Sequence, residues 1–392
     1  MKRSTNRILT SHAGSLPRPE RLLEANRAKI AGQGFDAKDY AARLADAVSE
    51  IAATQARIGV DVINDGEFGK ASSGAIDYGA WQSYAWARLS GWEPGAPRPA
   101  PALSIRRERQ KFKDFYRDLD TTQFISSTSS APRPPVVTGP IRYVGQEAVK
   151  TDIANFKKAL AAVKAEEGFI TAVAPGSFGR RQNEYYKSDE EFLYALADAL
   201  KEEYKAIVDA GLVLQIDDPG LPDNWDMANP EPPLAEYKKF ARLRIDAINH
   251  ALAGLPEDRV RYHICWGSWH GPHTTDVPLA YIVDLLLMVK AGAYSVEAGN
   301  VRHEHEWKIW REVKLPPGKI LIPGVVSHAT NVIEHPELVA DRIVRFAQVV
   351  GRDNVIAGTD CGLGGRIHAD LAWAKLEVLV EGARVASKQL WG

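Results

Sequence analysis

A chain of 392 residues is long for one domain but within reach of an α/β barrel with insertions, and a core of that size needs no disulfide staples. A net charge of −1 and a pI near 6.8 leave no electrostatic footprint for nucleic acid or an anionic membrane. Hydrophobic residues at 45% and charged residues at 25% are the balance of a soluble globular protein. The start, Met1 to Arg7, carries no apolar signal region, and no apolar run approaches a membrane span, so the expected location is the cytoplasm. The two cysteines then point to metal or catalytic use more than to a disulfide.

In chain order, residues 8–12 read as a first strand closed by the Gly/Pro loop 13–19. Residues 36–58 predict a helix, with Asp36 as N-cap, Leu44, Val48, Ile51, Gln55 and Ile58 at helical spacing, and Gly59 as the stop. A second strand over 60–63 runs into Asn64-Asp65-Gly66-Glu67-Phe68.

From 71 to 135 the periodicity breaks down. This stretch holds Trp81, Trp86 and Trp92, a run of Pro94, Pro97, Pro99 and Pro101, and a basic cluster over 106–113. It reads as an insertion that packs its aromatics on a barrel mouth and solvates its charges, or else as a lid or subunit contact that closes the site. The second option leaves room for a homo-oligomer. A single basic run in a neutral chain reads as a solvated helix face.

Residues 136–143 are strand-like, but Gly139-Pro140 argues against a central position. A helix over 151–165 and a strand over 169–174 follow. Ser188 and Glu191 form a capping box for a helix reaching Asp209. Strands are then predicted over 212–216, 259–265, 293–297, 320–326 and 355–361. Helices are predicted over 235–253, 278–290, 336–350 and 369–388. Nine strands compete for eight barrel positions, so 136–143 is placed outside, in a hairpin with the insertion. The alternation of strands and helices argues for parallel β/α units. The expected fold is α/β, a (β/α)8 TIM barrel in a single domain over 1–392, with 71–135 inserted after the second strand.

Chemistry-bearing residues end the apolar runs. His263, Cys265, Glu297 and Cys361 are imidazole, thiolate and carboxylate ligands suited to a zinc site. Residues 263 and 265 of one strand point to the same side. Alone, His263 and Cys265 read as a satisfied polar residue beside a small buried hydrophobe; Glu297 and Cys361 at other strand ends favour a metal. His303, Glu304, His305 and Glu306 read as a solvated helix start, and His270 and His273 as loop residues. Coordination lowers a thiol's pKa far below its free value, giving a nucleophile at neutral pH. Two protein thiolates weaken zinc as a Lewis acid, which favours alkylation of a thiol over hydrolysis.

Further motifs run in order along the chain: 13–17 (Ala-Gly-Ser-Leu-Pro), 59–68, Gln215 to Pro219, Val296-Glu297, Gly324 to His328 and Asp360-Cys361-Gly362. With His263 and Cys265 they resemble the catalytic barrel of cobalamin-independent methionine synthase and its single-barrel relatives, including epoxyalkane:coenzyme M transferase. The resemblance implies zinc ligands at His263, Cys265, Glu297 and Cys361. It implies a grip on an amino-acid thiol by Gly14, Ser15, Glu67 and Asp217, and a proton donor at His328. Loop amides can hold a carboxylate and two carboxylates an ammonium. Asp217 and Asp218 also suit a turn before Pro219, and Asp65 or Glu67 a helix cap.

The chain departs from the family in four ways. It lacks the second barrel of the long methionine synthases. It has Gly69-Lys70 where they carry Arg-x-Asp-Met-Val after Gly-Glu, it has Asp217-Asp218-Pro219 for their Asp-Glu-Pro, and its insertion has no counterpart. The resulting expectation is a zinc-dependent transfer of a methyl or other alkyl group to homocysteine or a similar small thiol. The donor would be a methyl-folate, a methyl-corrinoid or a small methyl compound. The alternatives are opening of an epoxide by coenzyme M and, in another class, a non-catalytic zinc-binding barrel. Glu67 and Asp217 favour an amine-bearing thiol, unless Lys70 or Arg18 reaches into the site.

Overall fold

The computed structural model describes all residues except 33, 35, 71–79, 97–105, 123–133, 179–181 and 269, and the side chains of 80–82 and 120–122. Eight parallel strands carry the labels β1 (Leu9–Thr10), β2 (Val62–Asn64), β3 (Glu167–Val173), β4 (Val213–Asp217), β5 (Val260–His263), β6 (Ala293–Val296), β7 (Ile320–Val326) and β8 (Ile356–Thr359). They pair in the order β1-β8-β7-β6-β5-β4-β3-β2, a nearly closed (β/α)8 barrel wrapped by helices. Every residue of β7 is buried, as expected of a parallel strand covered on both faces.

β1 and β2 stand at the two ends of that order, and side chains bridge the seam. Asp61 Oδ2 accepts from the Thr10 amide at 2.8 Å and from Thr10 Oγ1 at 3.1 Å, and Ser11 Oγ donates to the Val62 carbonyl at 3.1 Å. Arg7 Nη1 lies 2.7 Å from the same Asp61 oxygen.

The helices follow the sequence signals closely. Ala37–Ile58 begins where Asp36 Oδ1 accepts from the amides of Lys38 and Asp39, buries Leu44, Val48, Ile51 and Gln55, and stops at Gly59, whose φ of 98° suits glycine. Asp189–Asp209 is capped by Ser188 as expected. Gln146–Ala161 begins earlier than 151, and Leu279–Leu286 is shorter than 278–290. Helices Glu20–Ala31 and Gly220–Met227 were not anticipated; each starts directly after a proline, in a stretch the sequence left unassigned. Among the described residues no helix is long and apolar enough to cross a membrane.

Residues 135–143 do lie outside the barrel. Pro135–Tyr143 pairs antiparallel with Leu89–Pro94 and parallel with Gln182–Asn183 in a separate small sheet. Trp86 packs edge-on to Phe178, and Tyr84 Oη accepts from the Val173 amide at the end of β3. Pro97, Pro99, Pro101 and the Trp81 side chain fall outside the described residues.

The basic cluster at 106–113 is not a purely solvated helix face. Arg106 is 3% exposed and pairs with Asp223 and Asp226 on the helix after β4, and Glu108 is fully buried. Glu108 accepts from the Thr274 amide at 2.6 Å and from Tyr116 Oη at 2.5 Å. A charge in a basic run is buried here because its partners lie on a distant helix.

Replacing Asp61 by Ala removes the acceptor that joins β1 to β2. We expect a loss of roughly 1–3 kcal/mol, the range for orphaning a buried amide, seen as a lower urea midpoint. An unchanged midpoint would mean that the Ser11–Val62 bond and packing hold the seam without Asp61.

Candidate active site

Register brings the site together. Val173, Asp217, His263 and Ser295 are successive Cα partners across β3, β4, β5 and β6, so they stand at one level of the barrel's C-terminal end. At that level the potential ligand atoms of His263, Cys265 and Cys361 all lie within 4.8 Å of one another. Ser295 Oγ is 3.0 Å from His263 Nδ1, which fixes the ring. His263 Nε2 is buried and has no hydrogen-bond partner. A buried imidazole nitrogen left bare beside two sulfurs fits a thiophilic cation such as zinc.

The two thiols are unequal. A hydrogen bond between Cys265 and Cys361 holds the Cys361 thiol well below its ordinary value and drives Cys265 well above it; burial adds to the rise at Cys265. Ser268 Oγ approaches Cys361 Sγ at 3.3 Å.

Glu297 lies outside the 4.8 Å cluster. Its oxygens accept from the Trp266 amide at 2.9 Å and from Asn300 Nδ2 at 2.7 Å. Burial, and then neighbouring Asp360, raise its carboxyl well above the usual range. Asp360 in turn accepts from the Ala298 and Gly299 amides at 2.8 and 2.7 Å, tying the ends of β6 and β8 together. The structure therefore gathers His263, Cys265 and Cys361, with Glu297 held in a hydrogen-bonded shell beside them.

The run 303–306 corrects an expectation. His303 and Glu306 are 4% and 6% exposed, so this is no solvated helix start. His303 is held between Asp276 at 3.1 Å and Glu306 at 2.8 Å and stacks on Trp266. Against the cost of burial, these carboxylates push it up to about 10. With both ring nitrogens engaged, His303 is a support for the Trp266 segment. His273 pairs with the same Asp276 at 3.0 Å, and His270 is exposed in the loop.

Gly14, Ser15, Glu67 and Asp217 converge from two loops and the end of β4. Gly14 has a φ of +134°, and a Cβ there would meet Glu67 Oε1 at 2.5 Å, so only glycine admits that carboxylate. Ser15 Oγ donates to the Gly364 carbonyl at 3.1 Å, joining this loop to the one that carries Cys361. Glu67 has a left-handed backbone, φ 62°, rare for a side chain of that size. Its Oε1 accepts from Thr171 Oγ1 at 2.6 Å and lies 3.3 Å from Lys70 Nζ. Arg18 Nη2 donates to the carbonyls of Glu67 and Lys70, both at 2.8 Å, and so braces the turn. Burial, and then Glu67, push Asp217 up to about 7. Gln215 Nε2 donates to Asp217 Oδ1 at 2.6 Å. Asp218 faces elsewhere, accepting from Ser177 and Tyr262, both at 2.7 Å.

Below this level Arg261 is fully enclosed. It bonds Gln215 Oε1 at 2.6 Å and Ser11 Oγ at 2.9 Å and lies 3.8 Å above the Phe169 ring. Burial lowers it to about 9. His328, beyond β7, is 1% exposed with both ring nitrogens unpartnered, and burial pushes it down to about 4.

Sequence reasoning did not single out Thr171, Ser268, Ser295, Asn300 or Arg261. Ser295 was within reach, because it is the last polar residue before Glu297 on a predicted strand. Arg261 lies two positions before His263 and so faces the same interior.

A soft-ligand cluster and a paired set of carboxylates at the C-terminal ends of barrel strands define a barrel enzyme's mouth. The chain matches the model of the cobalamin-independent synthase catalytic domain over residues 114–385 and belongs to that family. It is 25% identical over 97% of its length to a methionine synthase of Sulfolobus acidocaldarius, 93% of which is covered. It is 23% identical over 98% of its length to a 2-hydroxypropyl-CoM lyase of Xanthobacter autotrophicus, 96% of which is covered. A B12-independent methionine synthase structure from Shewanella sp. W3-18-1 superposes with a TM-score of 0.72 at 20% identity, covering 98% of this chain and 99% of that one, and shares its fold.

In metal-free protein, one thiol should ionise well below the ordinary thiol value and the other well above it, read from thiolate ultraviolet absorbance. Cys361→Ser should remove the early step. Two thiols titrating together at the ordinary value would contradict the unequal pair.

Proposed function

We propose that this protein is a zinc-dependent transferase that places an alkyl group, methyl in the methionine-synthase-like case, on the sulfur of a small thiol. The observation that carries this reading is the bare, buried Nε2 of His263 beside Cys265 and Cys361. His263, Cys265 and Cys361 would hold the ion, with Glu297 as the adjoining carboxylate ligand. Bound zinc would supply a Lewis acid that keeps an entering thiol ionised at neutral pH.

The chain's own residues then divide the work. Ser295 keeps His263 oriented through Nδ1. The Gly14–Ser15 loop, Glu67 and Asp217 form the wall against which the acceptor is positioned. His328 is neutral at neutral pH, because its folded pKa of about 4 lies below that range. It can therefore take the proton that the acceptor thiol gives up and deliver it to the departing group. The sulfur–carbon bond forms as the bond from carbon to the leaving atom breaks, and one proton passes from thiol to leaving group.

The methionine-synthase relatives support methyl as the transferred group; its source would be a methyl-folate, a methyl-corrinoid or a small methyl compound. The 2-hydroxypropyl-CoM lyase relative supports a second reading, in which the carbon attacked belongs to an epoxide and the opened oxygen takes the proton.

Three experiments test this. Cys361→Ser protein should purify with little zinc; an unchanged metal content would overturn the ligand assignment. His328→Asn should keep its zinc while losing ~10²–10⁴-fold in kcat, the range for a positioned acid or base. A panel of thiols (homocysteine, coenzyme M, glutathione) crossed with methyl-folate, methylcobalamin and an epoxide should give a thioether with at least one pair. No product from any pair would count against the transferase.

A further inference from the structure

The turn after β2 carries a buried lysine that the proposed reaction does not use. Lys70 is 6% exposed. Its Nζ lies 3.3 Å from Glu67 Oε1, hydrogen-bonds Thr171 Oγ1 and sits 4.5 Å from the centre of the Tyr84 ring. Its charge also acts on Asp217 across the site. The backbone that carries the lysine is fixed, because its own amide donates to the Glu67 carbonyl at 3.0 Å and Arg18 grips the carbonyls of both residues.

Lys375 shows what a structural buried lysine looks like in this fold. It is wholly enclosed and paired at 2.8 Å with Glu334, near the start of the helix after β7. Lys70 stands instead among Gly14, Thr171, Glu67 and Asp217, the wall at which an acceptor would be held. A ligand ammonium entering there would find Glu67 Oε1 already engaged by one ammonium and by the Thr171 hydroxyl. It would stand beside a like charge in a water-poor site, where such repulsion is only weakly screened.

We infer that Lys70 sets the acceptor specificity: its ammonium already holds Glu67, the carboxylate facing Asp217 across the acceptor wall, so the thiol that binds is a small one without an amine. This rests on the transferase reading and narrows it, because homocysteine would then be a poor acceptor. The positive group that completes the acid pair comes from the chain and not from the substrate.

Homocysteine and 4-mercaptobutanoate, which differ only by the amine, give a direct test by titration calorimetry on the unaltered protein and on Lys70→Met. The unaltered protein should bind 4-mercaptobutanoate at least about tenfold more tightly. Lys70→Met, with its acid pair open, should reverse the order. Equal or tighter binding of homocysteine by the unaltered protein overturns the assignment of Lys70 and leaves the transferase standing. Binding of neither thiol also overturns the assignment, and the transferase is then judged on the wider thiol panel alone. The comparison on the unaltered protein decides the matter even where the variant does not fold.

Discussion

The hydrogen bond between Ser295 Oγ and His263 Nδ1 is the constraint on which the site depends. An imidazole has two nitrogens, and fixing one decides what the other faces. With Nδ1 held by the neighbouring strand, Nε2 is left bare, beside Cys265 and Cys361 and out of water's reach. The bond exists because His263 and Ser295 are register partners on β5 and β6. A slip of one residue in either strand would turn one of the two side chains to the other face.

The same register extends to the acceptor wall. Asp217 is the partner of His263 on β4, so carboxylate and imidazole share a level of the barrel. Arg261, one layer down on β5, ties that level to β1 and β4 through Ser11 and Gln215. Buried acids are tolerated here because each has donors: Thr171 and Lys70 for Glu67, Gln215 for Asp217, backbone amides for Asp360. Burial still raises Asp217, Glu297 and Asp360, and compensating positive charge is what such a site attracts.

Much of this was legible in the sequence, for a physical reason. A parallel barrel strand is a short apolar run, and the residue just past it faces the mouth. Reading the ends of those runs therefore pointed to His263, Cys265, Glu297 and Cys361, while Asp217 and His328 were singled out by the family resemblance. The cap of Asp36 and the box of Ser188 with Glu191 were legible because capping is local. The burial of Arg106, Glu108, His303 and Glu306 was not, since each owes it to partners that meet only after folding. The same is true of the seam at Asp61, where a carboxylate joins strands fifty residues apart in sequence. Lys70 was visible only as a departure from the family pattern; that it turns inward to Glu67 is set by the Arg18 brace and the left-handed turn.

The family is shared by proteins that act on different substrates, so fold alone does not choose a reaction. The claim that separates an enzyme from a barrel with a structural ion is that the metal admits the acceptor's sulfur. Zinc X-ray absorption on the purified protein, with and without an acceptor thiol from the panel, measures this directly. The account predicts an added sulfur neighbour when the thiol is present. A zinc shell unchanged by every thiol would contradict it.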